Sequence, residues 1–163
     1  MKDLFGCAAR IDHIAIAVKN MDEALFFYQG ILNFKLLERR EIKGAFSGMK
    51  SAELTVGNFS VVLVQGTGPE SQVCKYIDEY GPGVQHVAIT VEDIEEVARA
   101  LTKKGLEFST NIIKGKGLLQ IFTKREKNSG MMYEFIQREE TETGFEEGNI
   151  QELFNQLESA FAY

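Results

Sequence analysis

The two histidines of this sequence occupy the same place in two copies of one pattern. His13 lies in the segment IDHIAIAVKNMDE, and His86 lies in the segment VQHVAITVEDIEE, 73 residues further on. Equivalent positions of a duplicated scaffold can meet at one centre, and neutral imidazole is a common metal ligand. A single histidine in a strand is more often a hydrogen-bonded core or surface group, but the repeated position favours a shared metal site.

Glu134 is the candidate for a third metal ligand. It lies in the apolar run MMYEFIQ, where an ionised side chain is costly unless it is paired or binds a cation. Its counterpart in the first copy is Val62, so one half would supply one ligand and the other half two. Two histidines and one carboxylate leave about three positions open on an octahedral ion, which is the arrangement of non-haem Fe(II) sites that activate oxygen.

Gln120 and Phe122 are expected on one face of a strand, opposite Leu119 and Ile121. An amide beside an aromatic ring suits a pocket for a planar substrate with polar ends, and a phenylalanine in a strand equally suits the core. The pattern at these two positions therefore predicts either a substrate pocket or a core position.

The elements that must position these residues follow from hydrophobic periodicity. Residues 11–18 and 84–91 alternate as strands, with each histidine on the face that carries small residues. Asn20 and Asp93 are predicted N-caps of the helices that follow, and these helices should cover the β-branched faces. Further strands are predicted at residues 34–37 onward, 51–56 and 59–64 in the first copy, and at residues 107–109, 118–123 and 132–137 in the second.

The resulting order is a strand, a helix and three strands, repeated once. Module one covers about residues 10–66 and module two about residues 83–138, and a segment around residues 72–79 joins them. An amphipathic stripe predicts a closing helix at about residues 149–161. A length of 163 residues suits a single domain over residues 1–163.

Composition narrows the partners and the compartment. The net charge of −6 disfavours a nucleic-acid partner, because an acidic surface repels phosphate. No run approaches the ~18 apolar residues of a membrane span. Cys7 and Cys74 match neither a disulfide framework nor a zinc or redox spacing. We therefore predict a reduced, cytoplasmic protein that binds neither nucleic acid nor a membrane.

The repeat resembles the vicinal-oxygen-chelate superfamily, which includes glyoxalase I, methylmalonyl-CoA epimerase, and extradiol and 4-hydroxyphenylpyruvate dioxygenases. The motifs GVQHVA, LLQIFTK, EFIQR and GFEEGN are, in this order, most similar to the catalytic half of 4-hydroxyphenylpyruvate dioxygenase. The resemblance implies an α+β fold, in which two βαβββ modules form an incomplete mixed β-barrel around a metal site, with a C-terminal closing helix. It also implies a homodimer, because the superfamily commonly pairs its modules.

The resemblance further implies a reaction and the residues that perform it. Fe(II) would be bound by His13, His86 and Glu134. The implied catalytic residues are Gln72, Gln85 and Gln120, and the implied substrate-binding residues are Ser51, Phe122, Phe145 and Ile150. The small-molecule substrate would be an aromatic or related α-keto acid that binds through its carboxylate and keto oxygens, reacts with O2 and loses carbon dioxide.

Departures from the dioxygenase pattern keep other functions open. Ile150 stands where that family offers a second stacking phenylalanine, and module one looks more like an epimerase or a glyoxalase. A metal-dependent epimerase or glyoxalase-type lyase, with Co, Zn, Mn or Ni, would want a fourth ligand near Val62, from Ser60 or Gln65, and Glu53 could carry a proton. A noncatalytic ligand-sequestering protein is a third possibility, because the same scaffold serves in such proteins.

Overall fold

The computed structural model describes residues 3–115, 117–139 and 147–159. Within these residues the chain forms eight strands: β1 Ile11–Ala17, β2 Lys35–Lys43, β3 Gly48–Val56, β4 Phe59–Gly66, β5 Gly83–Thr90, β6 Ile113–Gly115, β7 Leu118–Phe122 and β8 Met132–Arg138. The helices are α1 Met21–Leu25, α2 Gln72–Tyr80, α3 Ile94–Lys103 and α4 Glu147–Ser159, and a π-helical segment, Phe26–Ile31, continues α1.

The eight strands form one mixed sheet in the order β2-β3-β4-β1-β5-β8-β7-β6. Each module contributes four neighbouring strands, and its first strand lies parallel to its last, β1 to β4 and β5 to β8. The two modules meet at the antiparallel pair β1–β5. The sheet curls into a half-barrel, so the predicted α+β fold with a mixed, incomplete barrel is confirmed.

Different helices cover the two faces of the sheet. On the outer face, α1 packs with β3 and β4, and α3 packs with β7 and β8. Ile16, Val18 and Ile89 lie in these two clusters, which confirms that helices cover the β-branched faces of the two histidine strands. On the inner face, which carries the histidines, α2 and α4 pack over one end of the half-barrel and leave the other end to polar side chains.

The helices of the two modules begin at the predicted caps. The side chain of Asn20 accepts a hydrogen bond from the backbone N–H of Glu23 at 3.0 Å, and Asp93 accepts one from Glu96 at 2.9 Å. Each cap satisfies a backbone donor that has no partner inside its own helix. None of the described helices is both long enough and apolar enough to cross a membrane.

One predicted strand of module two was wrong. Phe108 makes only an isolated bridge to Thr123, and the strand that pairs with β7 is β6, a few residues later. Ile113 is the buried residue of β6, whereas Phe108 packs beside α3 in the outer cluster. Phe108 thus packs against the outer helix rather than in the sheet, and Ile113 is the residue that pairs with Gln120.

Candidate metal centre

His13, His86 and Glu134 lie together on the inner face, on β1, β5 and β8. His13 Nε2 lies 3.3 Å from His86 Nε2 and 3.0 Å from Glu134 Oε2, and His86 Nε2 lies 3.4 Å from the same oxygen. Metal–ligand bonds of about 2.0–2.2 Å place neighbouring ligand atoms of an octahedron about 3 Å apart. The three atoms are therefore spaced as adjacent ligands of one divalent cation.

A β-bulge precedes each histidine. The register between β1 and β5 shifts twice, and the extra residues are Asp12 and Gln85, each directly before a histidine. A bulge bends its strand locally and changes the direction of the adjacent side chain. The two modules thus use the same irregularity, at equivalent positions, to direct their imidazoles.

The two bulge residues hold the rear nitrogens of the imidazoles. Asp12 Oδ1 lies 2.9 Å from His13 Nδ1, and Gln85 Oε1 contacts His86 Nδ1. Both oxygens are acceptors, so each Nδ1 is held as a hydrogen-bond donor, and Nε2 is the ring nitrogen that would bind a metal once it is deprotonated. Arg138 fixes the Asp12 carboxylate through Nε and Nη2, at 2.8 and 3.1 Å.

The charges in the centre influence one another. Burial would lower the pKa of His13, but the negative charges of Glu134 and Asp12, together with their hydrogen bonds, raise it to about 9. Burial would raise the pKa of Glu134, yet His13 and His86 hold it below its ordinary value. Burial lowers the pKa of His86. The centre therefore keeps an ionised carboxylate in a buried position, as a cation site requires.

The donor set fits a divalent transition metal. The side chain of Glu134 is only 2 % exposed, yet its Oε1 atom has no hydrogen-bond partner among the described residues. An unsatisfied carboxylate oxygen beside two buried imidazoles is costly for a protein without a bound cation. Imidazole and carboxylate ligands suit Fe, Co, Mn, Ni and Zn ions.

Gln120 and Phe122 lie beside this centre on β7. Phe122 is directly opposite Glu134 in the sheet, and its ring meets the His86 ring edge to face, with 5.0 Å between the ring centroids. Gln120 is fully buried, and neither its amide oxygen nor its amide nitrogen has a partner among the described residues. Phe122 also packs against Leu157 of α4, so this ring contacts both the centre and the core.

The other predicted catalytic and substrate-binding residues lie in different environments. Gln85 contacts the rear of His86 rather than the ligand side of the ring. Gln72 begins α2 with its amide oxygen buried and unpaired among the described residues, and Ser51 is buried on β3. Ile150 packs into an apolar cluster with Phe154 of the same helix, and Phe145 lies outside the described residues.

No fourth ligand extends from β4 in the described structure. Val62 lies opposite Ala15 as Glu134 lies opposite Ala88, so the register makes Val62 the counterpart of Glu134. Gln65 is not available as a ligand, because its Oε1 accepts a hydrogen bond from the backbone N–H of Met21 at 2.7 Å. The three candidate ligands therefore come unequally from the modules: His13 from module one, and His86 and Glu134 from module two.

Ser60 and Glu53 form a pair of their own. Ser60 Oγ donates a hydrogen bond to Glu53 Oε1 at 3.1 Å. The side chain of Glu53 is buried, and the residue is only 6 % exposed.

Sequence reasoning missed the residues that support the ligands. The contact between Asp12 and Arg138 joins positions 126 residues apart, and no local pattern indicates it. A local signal for Gln137 was present, because it is the next-to-last residue of β8, as Gln65 is of β4. Its Oε1 accepts a hydrogen bond from the backbone N–H of Ile94 at 2.9 Å. Glutamines at equivalent strand ends thus hold the first turns of both α1 and α3.

The chain is similar to known proteins over most of its length. The chain is 30 % identical to the 4-hydroxyphenylpyruvate dioxygenase of Pseudomonas aeruginosa, over 91 % of this chain and 51 % of that protein. The chain therefore spans about half the length of the curated relatives it matches first.

Solved structures and a family model agree with this relationship. A 4-hydroxymandelate synthase variant from Streptomyces coelicolor superposes with a TM-score of 0.81 at 24 % identity, covering 93 % of this chain and 54 % of that one. The methylmalonyl-CoA epimerase of Mycobacterium tuberculosis gives 0.67 at 25 % identity, covering 79 % and 87 %. The matching family model extends over residues 10–135. The chain belongs to the glyoxalase/bleomycin resistance protein/dioxygenase superfamily.

Proposed function

We propose that this chain is a non-haem Fe(II)-dependent dioxygenase that oxidises an aromatic or related α-keto acid with O2. The observation that carries the proposal is the three-ligand centre of His13, His86 and Glu134, with Val62 at the position where a fourth ligand would stand. Three protein ligands leave room for a chelating substrate and O2 on one octahedral ion. The name of the Pseudomonas aeruginosa relative supports the α-keto acid class.

The protein contributes a ligand set that is rigidly held from behind. Asp12 and Gln85 fix the imidazole rings from behind, and Arg138 fixes Asp12. Ordered supports of this kind hold ligand atoms in place without reorganisation during the reaction. When bound, Fe(II) would supply chelation of the substrate's carboxylate and keto oxygens and reductive activation of O2.

The buried end of the half-barrel would receive the substrate. Gln120 offers an unpaired amide to a polar substrate group, and Phe122 offers an aromatic wall next to His86. Gln72 offers a second unpaired amide oxygen from α2. Leu157 and Phe154 of α4 lie over this end and would exclude water from it.

The proposal is tested by anaerobic reconstitution with Fe(II), followed by a series of α-keto acids. We expect one Fe(II) per chain and a weak visible charge-transfer band on addition of the correct acid. Admission of O2 should then consume one O2 per carbon dioxide released. Iron-loaded protein that shows no band and no O2 uptake with any aryl or alkyl α-keto acid would contradict the proposal.

An epimerase acting on a coenzyme A thioester is the second candidate. The methylmalonyl-CoA epimerase of Mycobacterium tuberculosis superposes on this chain at 25 % identity over 87 % of that protein, and this similarity supports the second candidate. Such an enzyme would work with Co(II) or Zn(II) and exchange the substrate's α-proton with solvent without consuming O2. Proton exchange in D2O, followed by NMR, separates the two candidates.

The homodimer and the cytoplasmic location also stay predictions. An exposed apolar patch on and after the π-helical segment supports self-association: it is formed by Phe26, Phe27, Ile31 and Leu32. Contiguous apolar surface of this kind often marks an interface. Sedimentation equilibrium of the purified chain measures the oligomeric state, and a monomer at micromolar concentration would contradict the dimer.

A further inference from the structure

Arg125 joins three elements beside the metal centre. It lies in the loop between β7 and β8, and its Nη1 donates to the backbone oxygen of Gln85 at 3.2 Å and to that of Gly130 at 2.6 Å. Its guanidinium carbon lies 4.7 Å from the ring centroid of Tyr76 and 5.2 Å from that of Tyr80. These are cation–π distances, so two neighbouring rings of α2 and the backbone of β5 hold one side chain.

The carbonyl group that Arg125 binds belongs to the bulge of β5. Gln85 is the extra residue of this bulge, so its backbone has no counterpart in the ladder with β1. The oxygen of the preceding residue, Val84, accepts a hydrogen bond from the hydroxyl of Tyr76 at 2.8 Å. Two consecutive backbone oxygens before His86 are thus bound by side chains from other elements.

These contacts reach the proposed metal ligand through a single residue. The side chain of Gln85 contacts Nδ1 of His86, while its backbone oxygen accepts from Arg125. The peptide group that carries this oxygen also joins Gln85 to His86, so a rotation of this group would move the imidazole relative to its amide support. Binding of the oxygen therefore restricts the direction in which the His86 ring points.

The loop that carries Arg125 distinguishes the two modules. In module one, Gly57 and Asn58 alone connect β3 to β4, whereas residues 123–131 connect the equivalent strands β7 and β8. The longer loop lies in the module that supplies two of the three candidate ligands, and it places Arg125 against the bulge of β5.

We infer that Arg125 is a positioning residue that sets the direction of His86 as a metal ligand, by holding the carbonyl group of Gln85 against α2. The inference rests on the proposed function, because it takes the three-ligand centre as the site that binds Fe(II). A planar guanidinium can lie over the rings of Tyr76 and Tyr80 and still donate to backbone oxygens in fixed directions. A lysine at this position would keep the charge but not this geometry.

The test is an anaerobic titration of the full chain with Co(II), whose visible d–d bands report the geometry of its ligands. We expect Arg125→Lys to lower the Co(II) affinity about tenfold and to change the position or intensity of these bands. Arg125→Ala should have at least as large an effect. A residue that acted only through its charge would give a different pattern, and that pattern would overturn the inference. Arg125→Lys would then bind Co(II) like the wild type, and Arg125→Ala would bind it more tightly, because a positive charge repels a cation.

Arg99→Lys is the matched control, since Arg99 is exposed on α3 at the outer face. It should keep the wild-type affinity and bands. Tyr80→Leu, at a half-exposed residue, removes one of the two rings and should lower the Co(II) affinity about two- to fivefold. This variant decides the matter if the Arg125 variants do not fold.

Urea denaturation of the metal-free variants separates positioning from packing. If Arg125 only packs against α2, Arg125→Lys and Tyr80→Leu should lower the urea midpoint, yet the folded variants should keep the wild-type Co(II) affinity and bands. That result would overturn the inference and leave the proposed function standing. A wild type that binds neither Co(II) nor Fe(II) would contradict the proposed function, and the inference with it.

Discussion

The two histidines of the centre are supported by residues of different charge. A carboxylate, Asp12, holds His13, and an amide, Gln85, holds His86. Arg138 secures the carboxylate directly, whereas Arg125 donates to the backbone oxygen of Gln85 at 3.2 Å. A carboxylate behind an imidazole raises its basicity more than an amide does, so His13 should be the stronger donor to a metal.

Replacing Asp12 with Asn should therefore weaken metal binding without removing a ligand. We expect about a 10- to 100-fold loss of affinity for Fe(II) or Co(II), because the ring orientation and basicity of His13 both depend on the carboxylate. Asp22→Asn is the matched control, since the side chain of Asp22 is 86 % exposed. Anaerobic metal titration measures both variants, and a wild-type affinity in Asp12→Asn would show that the contact is incidental.

The stability of the metal-free protein should depend on pH through His13. Its pKa is raised from 6.5 to about 9, chiefly by Glu134 and Asp12 acting against the lowering effect of burial. A raised pKa in the folded state contributes stability that is fully present below the unfolded pKa and is lost as pH rises through the folded pKa. We expect Tm to fall between about pH 6.5 and 9, and this fall to be absent in His13→Gln; equal Tm profiles would contradict this explanation.

At the scale of elements, each module attaches its helix to its own last strand. Gln65 of β4 accepts from the first residue of α1, and Gln137 of β8 accepts from the first residue of α3. These bonds lock the helix starts to the strands that lie beside the histidine strands. In each module, one hydrogen bond thus fixes the start of the helix relative to the last strand.

Gln137→Ala should loosen α3 while leaving the centre intact. One hydrogen bond to a helix N–H is lost, so we expect the free energy of unfolding to fall by about 1 kcal/mol. Gln65→Ala is the matched variant in module one and should show a similar loss. Urea denaturation measures both, and unchanged metal affinity serves as the control; no loss in either variant would contradict the proposed attachment.

Local patterns predicted most of the sheet but not its irregularities. Alternation located β1 and β5, because each buries one face over seven or more residues. It did not reveal the bulges at Asp12 and Gln85, because an inserted residue shows only when the partner strand is known. The same limit explains β6, whose position depends on pairing with β7, and the π-helical segment, which has no polar or apolar signature of its own.

At the scale of the whole molecule, one duplicated scaffold carries an unequal site. The register equates Val62 with Glu134, so the duplication supplies two equivalent histidines and only one carboxylate. The histidines and Glu134 could be proposed from the sequence, because repetition and an isolated acid in an apolar run are local signals. The contact between Asp12 and Arg138 depends on the curl of the sheet, which no local pattern contains.

Val62→Glu tests this asymmetry by making the two modules alike. A fourth ligand should maintain or strengthen metal binding, but it should abolish O2 consumption, because chelating substrate and O2 together need three open positions. Val62→Leu adds volume without a ligand and should keep metal binding and most of the activity. Wild-type O2 uptake by Val62→Glu would show that position 62 does not reach the metal.

The central claim is that three side chains bind one metal ion, and metal titration with His13→Ala, His86→Ala and Glu134→Ala tests it most directly. We predict one tightly bound Fe(II) or Co(II) per chain in the wild type and in Asp22→Asn, and a loss of at least 100-fold in affinity in each alanine variant. A wild-type affinity in any one of the three alanine variants, or a wild type that binds no divalent metal at micromolar concentration, would contradict the account.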